Sequence, residues 1–227
     1  PESVHRARRL NRPPMSTGLI IGKPASAYTR KACTARSTSS SPPSWSVKNL
    51  SVTAGRRQRF TPTPHDRILG VIGRTQRECF VPAPYHDLAF ADMDIPLADD
   101  QRFMSPKVEG RLLQSLAVLP EDAVLEVGTG SGFLTACLAK LSDTVLSIDI
   151  FPEFTAEAEK KLDHADFSNV ELKTEDAFDM TAAAQFDAIA VTGSLPAFND
   201  HFIRMLRPGG RLFFIVCRAP LMEAILI

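Results

Sequence analysis

The sequence predicts an α/β fold, a doubly wound and mostly parallel sheet carried by residues 65–227. Three observations point to it. Strand-like and helix-like stretches alternate from Ala123 onward at ~20–25-residue spacing, the signature of βαβ units. The strand-like stretches are apolar almost throughout, as strands covered on both faces must be. The stretch "VLEVGTGSGFLT", Val124 to Thr135, places Gly128, Gly130 and Gly132 at every second position between a strand and a helix. Such a turn cradles a nucleotide-like ligand.

The elements follow in order. "DRILGVIGRTQRECF" sets Ile68, Val71, Ile72 and Phe80 near helical spacing, although Gly70 and Gly73 weaken the pattern. "VPAPYHDLAFADMDIPLADDQRFM" is punctuated by proline and reads as loop with short extended pieces. It is suited to a lid and a peptide-binding edge, with Tyr85 and His86 as candidate substrate contacts or plain loop residues. "SPKVEGRLLQSLAV" opens with Ser105 as N-cap and Pro106 at the first helical position. Strands follow at "AVLEV", "TVLSIDI", "NVELKTEDA", "FDAIAVTGS" and "PGGRLFFIV". Helices are predicted at "GFLTACLAKLS", "PEFTAEAEKKLDHA" and "LPAFNDHFIRML", and "PLMEAILI" reads as the start of another. The sheet is expected to continue beyond Ile227.

Residues 1–64 differ from the rest. The first sixty residues hold twelve Lys and Arg against one acid, Glu2, while the remainder holds fourteen against twenty-five. The zero net charge therefore conceals a basic arm on an acidic domain. The arm is rich in Ser, Arg and Pro and lacks the apolar content to fold alone. It reads as an organellar transit peptide, as a basic disordered arm, or, because the first Met is Met15, as foreign coding sequence. The four cysteines, Cys33, Cys79, Cys137 and Cys217, form no CxxC pair, which argues against zinc and for reduced thiols. No apolar run reaches the ~20 residues that cross a bilayer. A cytoplasmic monomer with no metal, membrane or nucleic-acid partner is expected, with organellar import if the arm is genuine.

The loop and its neighbours select the ligand. A phosphate-binding loop closes with Lys and a hydroxyl, and here Gly132 is followed by Phe133. The dinucleotide pattern wants a third glycine where Phe133 stands. Glu126, two residues before Gly128, would repel a pyrophosphate but attract an ammonium. S-adenosylmethionine has the ammonium and no phosphate. Asp149, at the end of the next strand, can accept both ribose hydroxyls. Asp176, after the third strand, can reach an adenine amino group. Each acid also has a plainer reading. Glu126 can answer a helix dipole, Asp149 can cap the following helix, and Asp176 can be solvated loop.

The stretch "VLEVGTGSGFLTACLA" resembles the first motif of the protein-L-isoaspartate O-methyltransferases. "RECFVP", "FDAIAVTGSLP" and "LRPGGRL" are similar to three further family stretches, in the same order, across Arg67 to Ile227. The resemblance implies a Rossmann-like, class I methyltransferase domain and methyl transfer from S-adenosyl-L-methionine to the α-carboxylate of isoaspartyl residues in damaged proteins. It implies a cofactor site at Glu126, Gly128, Thr129, Gly130, Asp149 and Asp176. Where the family carries a Ser that helps to line the active site, this chain has Met104, with Ser105 one position late. Ser105 is thus the candidate catalytic residue, and its alternative is a plain N-cap. Other readings are a related methyltransferase with another acceptor, a cofactor-binding relative without isoaspartyl activity, and, least of all, a nicotinamide oxidoreductase.

Overall fold

The computed structural model describes residues 45–49, 66–181, 183–218 and 221–227. In chain order these form β1 (Trp45–Asn49), α1 (Asp66–Arg74), β2 (Ile95–Pro96), β3 (Arg102–Phe103) and α2 (Pro106–Leu116). There follow β4 (Ala123–Val127), α3 (Phe133–Ala139), β5 (Thr144–Asp149), α4 (Pro152–Asp163) and β6 (Val170–Thr174). The chain continues through β7 (Phe186–Leu195), α5 (His201–Met205), β8 (Leu206–Arg218) and β9 (Leu221–Leu226). Short 3-10 turns at Arg77–Phe80 and Ala83–Leu88 occupy the proline-punctuated region.

The main sheet has the order β1-β9-β8-β7-β4-β5-β6. β4 pairs in parallel with β5 on one side and with β7 on the other. Strand order therefore reverses at β4, and the crevice outside its carboxyl end is where such sheets bind ligands. β2 and β3 form a separate antiparallel pair.

Period-two alternation explains the apolar strands. Val124, Ala188, Ala190, Phe213 and Ile215 join one core cluster, which also holds Leu112, Leu116 and Phe133. Their neighbours Leu125, Ile189, Val191, Phe214 and Val216 join the other, with Phe202 and Met205. Successive side chains point to opposite faces, and both faces are covered.

Two expectations need correction. "PLMEAILI" is a strand rather than a helix, because β9 folds back antiparallel on β8, pairing Phe214 with Ile225 and Val216 with Glu223. A short apolar run carries no period that separates the two, and pairing with an open strand decides it. The helix at "LPAFNDHFIRML" is only α5, since β7 runs on to Leu195. The readings of residues 1–64 lie outside the described residues except at β1, a strand that the arm's irregular pattern did not announce and that pairs in parallel with β9. No helix of the described residues is long and apolar enough to cross a membrane.

Candidate active site

The turn after β4 is built by glycine geometry. Gly128, Gly130 and Gly132 all have positive φ, at 105°, 51° and 84°. A Cβ on Gly128 would lie 2.5 Å from Thr192 Oγ1, and one on Gly132 2.9 Å from the Ala158 Cβ on α4. The Thr192 hydroxyl donates to the carbonyls of Val127 (3.0 Å) and Gly128 (2.9 Å), and the Gly128 N–H donates to Ile148 O at 2.8 Å. The turn is thereby fixed to β7 and β5 together.

The acids at the strand ends converge on one cavity. Asp149 accepts the Gly130 N–H through Oδ2 and the Phe151 N–H through Oδ1, both at 3.0 Å. Burial lifts its pKa above the ordinary carboxylate value, with the backbone donors pulling the other way. It is not the N-cap of α4, which is Phe151. Asp176 Oδ1 accepts from the Phe178 N–H at 3.0 Å. Gly128, Gly130, Asp149, Glu175 and Asp176 line the cavity, along with the rings of Phe151, Phe154, Phe178 and Phe202. Leu97, Gln101 and Arg102 come in from the β2–β3 pair, and Thr192, Gly193 and Leu195 from β7.

Three expected site residues sit elsewhere. Glu126 is 0 % exposed and is not among the cavity's described lining. Its Oε2 accepts from Thr135 (2.5 Å) and Ser147 (2.7 Å), while Oε1 is buried without a partner among the described residues. The side chain of Thr129 turns inward to Ser147, 2.7 Å away, so it supports the turn from below. Ser105 is buried beside Met104, and its N–H donates to Asp94 Oδ1 at 3.0 Å. It occupies the N-cap position of α2 without a capping bond from its side chain. Of the two loop candidates, His86 Nε2 is bonded to Val81 O at 2.9 Å and Tyr85 packs on the core, so neither belongs to the described lining.

Burial pushes the Glu126 carboxyl up to about 7, against the downward pull of Ser147 and Thr135. The folded protein therefore holds this proton to a higher pH than the unfolded chain. The resulting stability is complete below the ordinary carboxyl pKa and is lost as pH rises through about 7. Glu126→Gln is expected to flatten that fall, which amounts to on the order of 3 kcal/mol. Urea unfolding at several pH values between 4.5 and 8.5 measures it, and an unchanged slope would contradict this assignment.

Beneath the Met104–Ser105 turn lies a buried arginine. Arg77 is 0 % exposed and pairs with Glu109 of α2, itself 1 % exposed. Its Nε–H donates to Ala89 O (2.6 Å) and its other terminal nitrogen to Met104 O (2.7 Å). The guanidinium also lies over the rings of Phe103 (4.0 Å) and Phe133 (4.8 Å). Phe133, standing where a dinucleotide fold wants glycine, thus fills core space between Phe80 and Phe103.

The model of the protein-L-isoaspartate(D-aspartate) O-methyltransferase family matches residues 49–221. The chain belongs to this family. It is 35 % identical over 148 residues to the protein-L-isoaspartate O-methyltransferase of Koribacter versatilis, covering 65 % of this chain and 67 % of that one. It is 37 % identical over 155 residues to protein-L-isoaspartate O-methyltransferase 1 of Anaeromyxobacter sp., covering 67 % and 73 %. In structure it resembles a Plasmodium falciparum beta-aspartate methyltransferase crystallised with S-adenosyl-L-homocysteine, with a TM-score of 0.61 at 16 % identity over 70 % of this chain and 79 % of that one. That likeness shows the class I methyltransferase fold.

All residues that line the cavity fall inside the stretch matched by the family model. Sequence reasoning missed several of them. Thr192 stood in the family-like "FDAIAVTGSLP", and a hydroxyl at a strand end was its signal. Arg102 lies in, and Gln101 directly before, a two-residue strand too short to show a period.

Proposed function

We propose that the cavity holds S-adenosyl-L-methionine and that the protein methylates the α-carboxylate of L-isoaspartyl residues in damaged proteins. The observation that carries this reading is the convergence of Gly128, Gly130, Asp149 and Asp176 on one cavity at the β4 switch point of a chain of this family.

The residues fit the cofactor. The glycine turn offers backbone where a side chain would intrude, since a Cβ on Gly130 would point toward Leu97 on the cavity wall. In this reading Asp149 accepts the ribose hydroxyls and Asp176 and Phe178 hold the adenine; all three line the cavity. Glu126 lies beneath the turn and outside the cavity's described lining, so in this reading it acts on the cofactor through the turn that it supports. Thr129 and Thr192 hold the turn's shape.

When bound, the cofactor supplies a sulfonium methyl group. The acceptor carboxylate is ionised at neutral pH, its reference pKa being near ~4, so no general base is required. The protein's contribution is alignment of the acceptor oxygen behind the methyl group, and removal of water. As the oxygen–methyl bond forms and the sulfur–methyl bond breaks, opposite charges are quenched. The four phenylalanine rings around the cavity favour that loss of charge. Ser105 is buried and outside the cavity's described lining, so it is given no bond-making role here.

The test is transfer of labelled methyl from S-adenosylmethionine to an isoaspartyl peptide, with the aspartyl isomer as control. Label on the isoaspartyl peptide alone is expected, and equal label on both peptides would reject the substrate assignment.

A further inference from the structure

The charges around the cavity are unevenly placed. Asp149, Glu175 and Asp176 lie together at the carboxyl ends of β5 and β6. An anionic acceptor approaching that wall is repelled. Arg102 is the one cation among the described residues lining the cavity, and it enters from the β2–β3 pair. Alternation along β3 sets its direction. Phe103 is 5 % exposed and packs in the core, so Arg102 takes the opposite face, exposed and on the cavity.

Arg102 forms no ion pair among the described residues. Burial lifts the pKa of nearby Asp94 and the charge of Arg102 only partly opposes that lift, while Asp94 accepts the Ser105 N–H. The guanidinium fork is therefore available to a ligand. A planar fork of donors matches the two oxygens of a carboxylate better than a point charge does.

We propose that Arg102 is a specificity-determining residue that anchors the acceptor's carboxylate at the cavity mouth. The inference rests on the methyltransferase reading above. It explains how a cavity with three acids admits an anionic substrate: the acids take the cofactor's nucleoside, and Arg102 takes the anion. Both the cofactor and the acceptor carry a carboxylate, so the test separates them.

Steady-state methylation of an isoaspartyl peptide is measured for wild type, Arg102→Met and Arg102→Lys, beside calorimetric titration with S-adenosylhomocysteine. Arg102 is exposed, so both variants are expected to keep the wild-type unfolding midpoint. Arg102→Met is expected to raise the peptide KM roughly 10–100-fold with kcat little changed. Arg102→Lys is expected to recover part of that loss, and the Kd for S-adenosylhomocysteine should stay the same in all three. A weakened cofactor Kd in Arg102→Met would overturn the proposal and give the residue to the cofactor's carboxylate. An unchanged peptide KM would overturn it outright. A wild-type protein that binds S-adenosylhomocysteine but methylates no isoaspartyl peptide overturns the underlying reading, and this inference with it.

Discussion

Replacing Glu109 with Leu is expected to lower the unfolding free energy by about 3–5 kcal/mol, the cost of leaving a buried charge without its partner. Arg77 is 0 % exposed and cannot escape by losing its proton, because guanidinium stays charged in proteins. Its bonds to Ala89 O and Met104 O do not replace the lost carboxylate. The double variant Arg77→Met/Glu109→Leu is expected to regain most of the loss, since an apolar pair of similar volume is often as stable as a buried ion pair. Urea unfolding of the wild type, the single and the double variant at pH 7 measures both effects. Equal losses in the single and double variants would show that the charge of Arg77 is not the cause. Burial lifts the Glu109 carboxyl above its ordinary value while Arg77 pulls it down, so the pair balances two large opposing effects.

Gly128→Ala is the second large effect. The residue has a φ of 105°, and its added Cβ would stand 2.5 Å from Thr192 Oγ1 and 3.0 Å from Gly193 N. Left-handed strain and overpacking together are expected to cost about 2–5 kcal/mol. Part falls on folding and part on binding, because relief requires the turn to leave its bond with β5 and move toward the cavity. Both the unfolding midpoint and the affinity for S-adenosylhomocysteine should drop. Gly73→Ala is the control. Its Cβ meets nothing within 4 Å on α1, and replacing a helical glycine is expected to add roughly 0.5–1 kcal/mol. If Gly128→Ala behaves like that control, backbone geometry does not shape the site.

The sequence made the scaffold legible because its signals were local. Glycine spacing marked the turn after β4, and apolar runs marked β4, β5, β7 and β8. Positions at strand ends led to Asp149 and Asp176, both of which line the cavity. Side-chain direction was not legible. Glu126 is buried under the turn rather than facing the cavity, because alternation along β4 and two hydroxyls on neighbouring elements turn it inward. Arg77 read as one charged residue in "RECFVP", and only tertiary packing brings Glu109, Phe103 and Phe133 around it. Ser105 read as a candidate catalytic residue or a plain N-cap; it takes the N-cap position without a side-chain capping bond, and its N–H is held by Asp94 eleven residues earlier. β9 was misread because its partner, not its own pattern, determines its form.

Strand order also sets an order of assembly. β4 pairs with β5 and β5 with β6, joining Val124 to Val145 and Val145 to Val170, all close in sequence. The pairing of β4 with β7, Val124 to Ala188, closes a much longer loop. Such closure costs chain entropy before its contacts form, so the β4–β6 half is expected to form first and β7 to dock onto it. The cavity straddles that boundary. Asp149 and Asp176 arrive with the early half, whereas Thr192 and Gly193 arrive with the late one. A half-folded chain would display the acids with no wall opposite them, and cofactor capture is therefore reserved for the finished molecule.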